Sequence, residues 1–309
     1  MYNSKKQFKM NKNKIFAIAA IAAATGLTSC LNDETGNNNN NEPVAVRFSS
    51  GIAEVETRAY ETTWAANDPV GIYMIGSSGT LTAANTLADN RQYTASAGAT
   101  ANFSATAANT IYYPVSGDDV KFIAYYPYSS PLTNYVLPVD VSDQSSQSAI
   151  DVLYAPAGTA TYNKSSGTVA LPFEHKLVKL VFTISNGSGV TEALSNGISV
   201  AISGQQTAGE LDLATGTVTP GTGTAVAITA SGNATVEAIV LPNTSTTGMG
   251  FTFTNGAAET FTGNIPALSA SWTGGNKYTY AVTLQKAGAV ITGTIAAWGA
   301  GTGGSVTAE

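Results

Sequence analysis

The stretch "EHKLVKLVFTISNG", residues 174–187, decides the fold class. Val178, Leu180, Phe182 and Ile184 recur at every second position. His175, Lys179 and Thr183 fall on the opposite face, with Leu177 and Val181 among them. A period of two places one apolar row on each side of a pleated strand, whereas a helix would need a period near 3.6. Asn186-Gly187 then supplies the backbone freedom for a tight hairpin turn.

Working outward, the pattern repeats in both directions. Upstream, "VAVRF" (44–48) aligns Val44, Val46 and Phe48 on one face. "PVGIYMIG" (69–76) is a short apolar run, as expected of a strand buried on both sides. "DVKFIAYYPY" (119–128) alternates Phe122, Ala124 and Tyr126 against Lys121, Ile123 and Tyr125. Downstream come "GISVAIS" (197–203), "GELDLATGTVT" (209–219), "TVEAIVLP" (235–242), "GMGFTFTN" (248–255), "KYTYAVTL" (277–284) and "AVITGTIAAW" (289–298). Short strands between Gly, Asn and Pro clusters predict an all-β chain of antiparallel sandwiches. Residues 129–150 read as a long polar loop. Only 80–93 and 190–197 have a composition suited to helical turns.

The N-terminus has a different character. Lys5, Lys6, Lys9, Lys12 and Lys14 precede "IFAIAAIAAATGL" (15–27), and no acidic residue stands before Cys30. That apolar run falls short of the about 20 residues needed to span a bilayer. A basic start, a short apolar stretch and small residues before a cut site form a secretory signal over residues 1–29. Met10 opens a complete signal by itself. The sole cysteine, Cys30, ends "LTSC" (27–30), which resembles the lipobox of bacterial lipoproteins. That resemblance implies a diacylglyceryl thioether and an acylated (palmitate-bearing) terminus at Cys30. Several acyl chains hold a protein to a membrane without a spanning helix. Asp33 and Glu34 resemble the acidic export signal of Bacteroidetes surface lipoproteins, or simply begin a solvated linker. Residues 30–43, with five consecutive asparagines (Asn37 to Asn41), have almost nothing to bury and form a lipidated, flexible tether.

Composition excludes several functions. Of fourteen Lys and Arg, five precede Cys30, whereas all twenty Asp and Glu follow it, so the remainder carries a net charge of −11 (9 − 20). Such a surface repels phosphate backbones, which argues against nucleic acid as a partner. No "GxSxG" elbow occurs, His175 is the only histidine, and the lone thiol is assigned to lipid, so nucleophilic triads and zinc sites have no basis. "GTGTAV" (221–226) lacks the Lys-Ser/Thr of a phosphate loop. Asp118-Asp119 would suit calcium, but a solvated turn explains the pair as well. The expectation is no enzyme, no cofactor and no metal. Tyr112, Tyr113, Tyr125, Tyr126 and Tyr128 with Trp64 suggest a sugar-stacking platform, or core and sheet-face residues.

Five pieces together resemble the fimbrillin-like family of Bacteroidetes, which includes the type V pilins. They are the lipobox, "VETRAYETTWAANDPVGIYM" (55–74), "VKFIAYYPY" (120–128), "DVLYAPAG" (151–158) followed by "VALPFEHKLVKLVFTI" (169–184), and "YTYAVTL" (278–284) followed by "IAAW" (295–298). The resemblance implies two tandem transthyretin-like β-sandwiches, here placed at 44–168 and 169–309. It also implies a surface lipoprotein of the outer membrane that is the precursor of an adhesive fimbrial subunit. In the family's pilins an arginine-specific protease cuts after the first strand, which matches the bond between Arg58 and Ala59. The strand bearing Val44, Val46 and Phe48 would then leave, and a strand from another subunit would replace it. The candidate donor is "AVITGTIAAW", through Val290, Ile291 and Ile295. An ordinary loop arginine at 58 fits the same residues. The rival reading is a monomeric, tethered glycan-binding lipoprotein with a host or glycan ligand.

Overall fold

The run "PVGIYMIG" forms a strand over Pro69–Gly76 that is buried along both faces. Its place in the fold explains this. Val70, Ile72 and Met74 belong to one apolar cluster, and Tyr73 and Ile75 to another. The strand Val120–Tyr126 behaves in the same way, with Phe122 and Ala124 on one side and Ile123 and Tyr125 on the other. One sheet thus carries core on both faces, and its central strands read as continuous apolar runs rather than clean alternation. Gly71 stands opposite Tyr125 in the ladder, and a Cβ there would collide with the Tyr125 ring.

The computed structural model describes residues 42–51, 63–223, 225–266, 269–286 and 288–298. The signal, Cys30, the tether up to residue 41, Arg58 and Ala59 lie outside the described residues. In chain order the strands are β1 (Phe48–Gly51), β2 (Pro69–Gly76), β3 (Thr86–Ala95), β4 (Thr100–Ser104), β5 (Val120–Tyr126), β6 (Val136–Asp140) and β7 (Leu153–Ala155). One helical turn, α1 (Gln147–Ile150), precedes β7. Then come β8 (Val169–Ala170), β9 (Glu174–His175), β10 (Val178–Asn186), β11 (Ile198–Gln205), β12 (Ala208–Asp212) and β13 (Thr217–Pro220). The last are β14 (Val226–Gly232), β15 (Thr235–Val240), β16 (Gly250–Asn255), β17 (Thr260–Asn264), β18 (Asn276–Gln285) and β19 (Gly288–Ala297).

The chain is all-β, as its periodicity requires. An eight-stranded sheet runs β8-β1-β4-β3-β2-β5-β7-β9. Two four-stranded sheets, β15-β10-β18-β19 and β14-β11-β16-β17, pack around Leu180 and Phe182. Phe182 meets Phe251 edge to face at 4.9 Å between ring centroids. A three-stranded sheet, β13-β12-β6, completes the set. Most pairs are antiparallel, but β1 with β8 and β10 with β18 are parallel. Strands from both sides of residue 168 share sheets: β8 and β9 lie with β1 to β5, and β6 pairs with β12.

Three local expectations change. Residues 80–93 hold β3, not helix; β3 is the middle member of a ladder between β2 and β4, and those pairings override a helix-compatible composition. Residues 190–197 contribute only a 3-10 turn at Leu194–Asn196. The long loop at 129–150 contains β6 and α1. Pro138 obscured β6, and it is tolerated because β6 is the end strand of its sheet.

Candidate assembly site

The segment from Val44 to Gly51 is threaded between two walls. On one side the Val46 amide donates to the Ile111 carbonyl (2.9 Å), and the Tyr113 amide to the Val44 carbonyl (3.0 Å). The ladder continues into β4, with Phe48 opposite Phe103 and Ser50 opposite Ala101. On the other side the Val169 and Leu171 amides donate to the carbonyls of Arg47 and Ser49, each at 2.8 Å. Strand β8 is the end strand of the sheet, next to β1 alone. Without β1 it would lose its sheet, and β4 would gain a bare edge.

The side chains follow the alternation. Val46, Phe48 and Ser50 are buried, while Ala45 and Arg47 are exposed. Phe48 packs edge to face against Tyr93 (5.2 Å) and Phe122 (4.9 Å). Val44 shares the inward face but is 39% exposed, so it marks the mouth of the slot rather than its depth. Ser50 is the third inward residue, which the apolar pattern missed. Its Oγ donates to the Leu171 carbonyl. Continuing the period of two from Val46 and Phe48 would have reached it. Fully burying Val46 and Phe48 contributes on the order of 1.5–3 kcal/mol each.

The candidate donor, β19, lies at the edge of its sheet and is hydrogen-bonded to β18 from Asn276↔Ala297 to Gln285↔Gly288. Val290 is 53% exposed, whereas Ile291 and Ile295 are half-buried against the core. The strand ends at Trp298, which is buried and stacks on His175 with centroids 4.0 Å apart and planes 10° apart. His175 Nδ1 lies 2.9 Å from Asp151 Oδ2. The lone histidine is therefore a packed residue at the start of β10's approach, and it holds the end of the last strand.

The tyrosines do not form a platform. Trp64, Tyr113 and Tyr125 are buried, in two different clusters, and Tyr112 is exposed by itself. The reason is the double-sided sheet, which turns neighbouring tyrosines to opposite cores. Lys179, expected on an outer face, is 5% exposed and pairs with Glu237 at 2.8 Å. Burial pushes its ammonium pKa down, and the hydrogen bond it donates to the Glu237 carboxylate opposes that shift. Asp118 accepts from Ser116 Oγ (2.7 Å) and Asp119 from Asn163 Nδ2 (2.9 Å), so both serve their loops. Among the described residues no three His, Cys, Asp or Glu converge as metal ligands.

A family model described as fimbrillin-like matches residues 57–298. The chain belongs to the fimbrillin-like family. A protein of Bacteroides uniformis named as a fimbrium subunit, Fim1C, is 39% identical to this fimbrillin-like chain over 304 residues, 94% of this chain and 97% of that one. A crystal structure described as that of a cell adhesion protein, also from Bacteroides uniformis, superposes with a TM-score of 0.71 at 34% identity. It covers 83% of the fimbrillin-like chain and 98% of its own. A second such protein, from Bacteroides ovatus, shares the fold with a TM-score of 0.65 at 21% identity, covering 83% and 98%. Among the described residues no helix of the fimbrillin-like chain is long and apolar enough to cross a membrane.

Proposed function

We propose that the chain is made as a lipidated precursor, held to the outer membrane through Cys30 and converted into a fimbrial subunit by proteolysis. An arginine-specific protease cuts between Arg58 and Ala59. The segment through Gly51 then leaves its slot, and a strand of another subunit fills it. Main-chain hydrogen bonds supply the affinity of such strand addition, and the pockets under alternate side chains supply its register. The observation that carries the reading is the double ladder of β1, with Val46, Phe48 and Ser50 inside; Arg58 follows it in the sequence. Removing it opens an apolar slot and two unpaired strands at once, a surface that proteins otherwise avoid. The role is assembly and adhesion, with other fimbrial subunits as partners and no catalytic step.

The test is native trypsin treatment of a precursor spanning residues 31–309, followed by light scattering and N-terminal sequencing. The expected outcome is a new terminus at Ala59 and growth into polymers. Clean cutting that leaves a stable monomer would instead favour the monomeric tethered glycan binder. The lipid is tested separately: Cys30→Ala should abolish palmitate labelling and release the protein from membranes. A mutant that stays membrane-bound with unchanged mass would refute the lipoprotein assignment.

A further inference from the structure

A cleft of about 580 Å3 opens where β7, β10 and β15 meet the 144–148 segment; no β1 residue lines it, although Trp64 shares an apolar cluster with Val46 and Phe48. Its size lies within the roughly 300–1,000 Å3 of typical small-ligand sites. Trp64, Tyr126 and Trp298 line it, so three aromatic rings stand among polar groups. Trp64 is rigidly held, edge to face with Tyr126 (5.7 Å) and Phe173 (5.0 Å). Its indole N–H is buried and finds no acceptor among the described residues. A buried donor without a partner is costly, and an acceptor supplied from outside would remove that cost.

Most charged groups of the cleft already have partners. Lys179 pairs with Glu237, Asp151 with His175, and Asp68 accepts from the Ala65 amide at 2.8 Å. The other groups are neutral. The hydroxyls of Ser231 and Thr235 are exposed and make no side-chain hydrogen bond among the described residues. Gln147 is held through Nε2 on the Glu237 carbonyl (2.6 Å), which leaves its Oε1 open. A ligand that satisfies such walls presents many neutral donors and acceptors and an apolar edge for Tyr126, the half-buried ring of the three. A cation would find one carboxylate without an ion pair, Asp68, already held by the Ala65 amide, and an anion would meet a protein of net charge −11 after Cys30 (9 − 20).

We infer that this cleft binds the end of an uncharged carbohydrate chain. The inference does not rest on strand exchange. The test uses the precursor spanning residues 31–309 and a panel of N-acetyllactosamine, chitotriose, mannotriose and maltotriose, followed by calorimetry and tryptophan fluorescence. At least one sugar should bind saturably, and Thr235→Trp, which fills the mouth from an exposed position, should weaken it at least tenfold with unchanged melting. No binding by any of the four at about 10 mM would overturn the inference. Binding untouched by Thr235→Trp would do the same, as would displacement by trilysine. Trypsin-driven polymerisation of the variant should match that of the parent, so a failure here is separable from a failure of the assembly reading.

Discussion

Phe48→Ala should lower the stability of the precursor by about 3–5 kcal/mol, the usual cost of removing a buried phenylalanine ring. The ring is 2% exposed and contacts Tyr93 and Phe122, both held by the sheet, so the void cannot collapse easily. Guanidinium unfolding of residues 31–309 reads this directly. The same change has a second, sharper consequence. After cutting at Arg58 only non-covalent contacts retain the plug, and a loss of that size speeds its departure by roughly a hundred- to several-thousand-fold. Cut Phe48→Ala should therefore polymerise much faster than cut parent, although its precursor is the less stable protein. A change below about 1 kcal/mol in the precursor would mean that β1 is only loosely seated. Equal polymerisation rates would mean that leaving of the plug does not limit assembly.

Trp298→Ala should be comparably severe, about 3–5 kcal/mol, and it acts at the other end of the proposed exchange. Trp298 is 5% exposed, stacks on His175 and donates its amide to the Gly275 carbonyl. Strand β19 has a sheet neighbour on one side only, and two of its inward residues, Ile291 and Ile295, are half-buried. Losing its terminal anchor should let the strand open as a unit. Hydrogen exchange over residues 288–298 should accelerate far more than exchange in β10 or β16. If β19 is the donor, cut Trp298→Ala should also assemble faster, because a freed strand finds the next slot sooner. Trp298→Phe, which keeps a stacking ring, should restore both properties in large part. Faster exchange with no gain in assembly would remove β19 as the donor while leaving the β1 slot intact.

What the sequence alone determined is the part set by neighbours along the chain. A period of two fixes which face each residue takes, and so Val178, Leu180, Phe182 and Ile184 are all buried where their spacing placed them. The eight-residue run at Pro69–Gly76 was legible as a strand buried on both faces for the same reason. The candidate slot was half legible: Val46 and Phe48 declared themselves, while Ser50 was hidden because a hydroxyl breaks the apolar pattern without breaking the period. Only the tertiary structure decided which strands pair. Ser50 meets Leu171 across 121 residues, and Gln144 reaches Ile239 across 95. No local propensity encodes such closures, because main-chain donors and acceptors are the same in every strand. The same holds for β6, which needed β12 to become a strand, and for Lys179, whose burial depends on Glu237 from a neighbouring strand. The stack of His175 on Trp298 and the cleft beside it join residues far apart in the chain, from Thr63 to Trp298, and the tertiary fold brings them together.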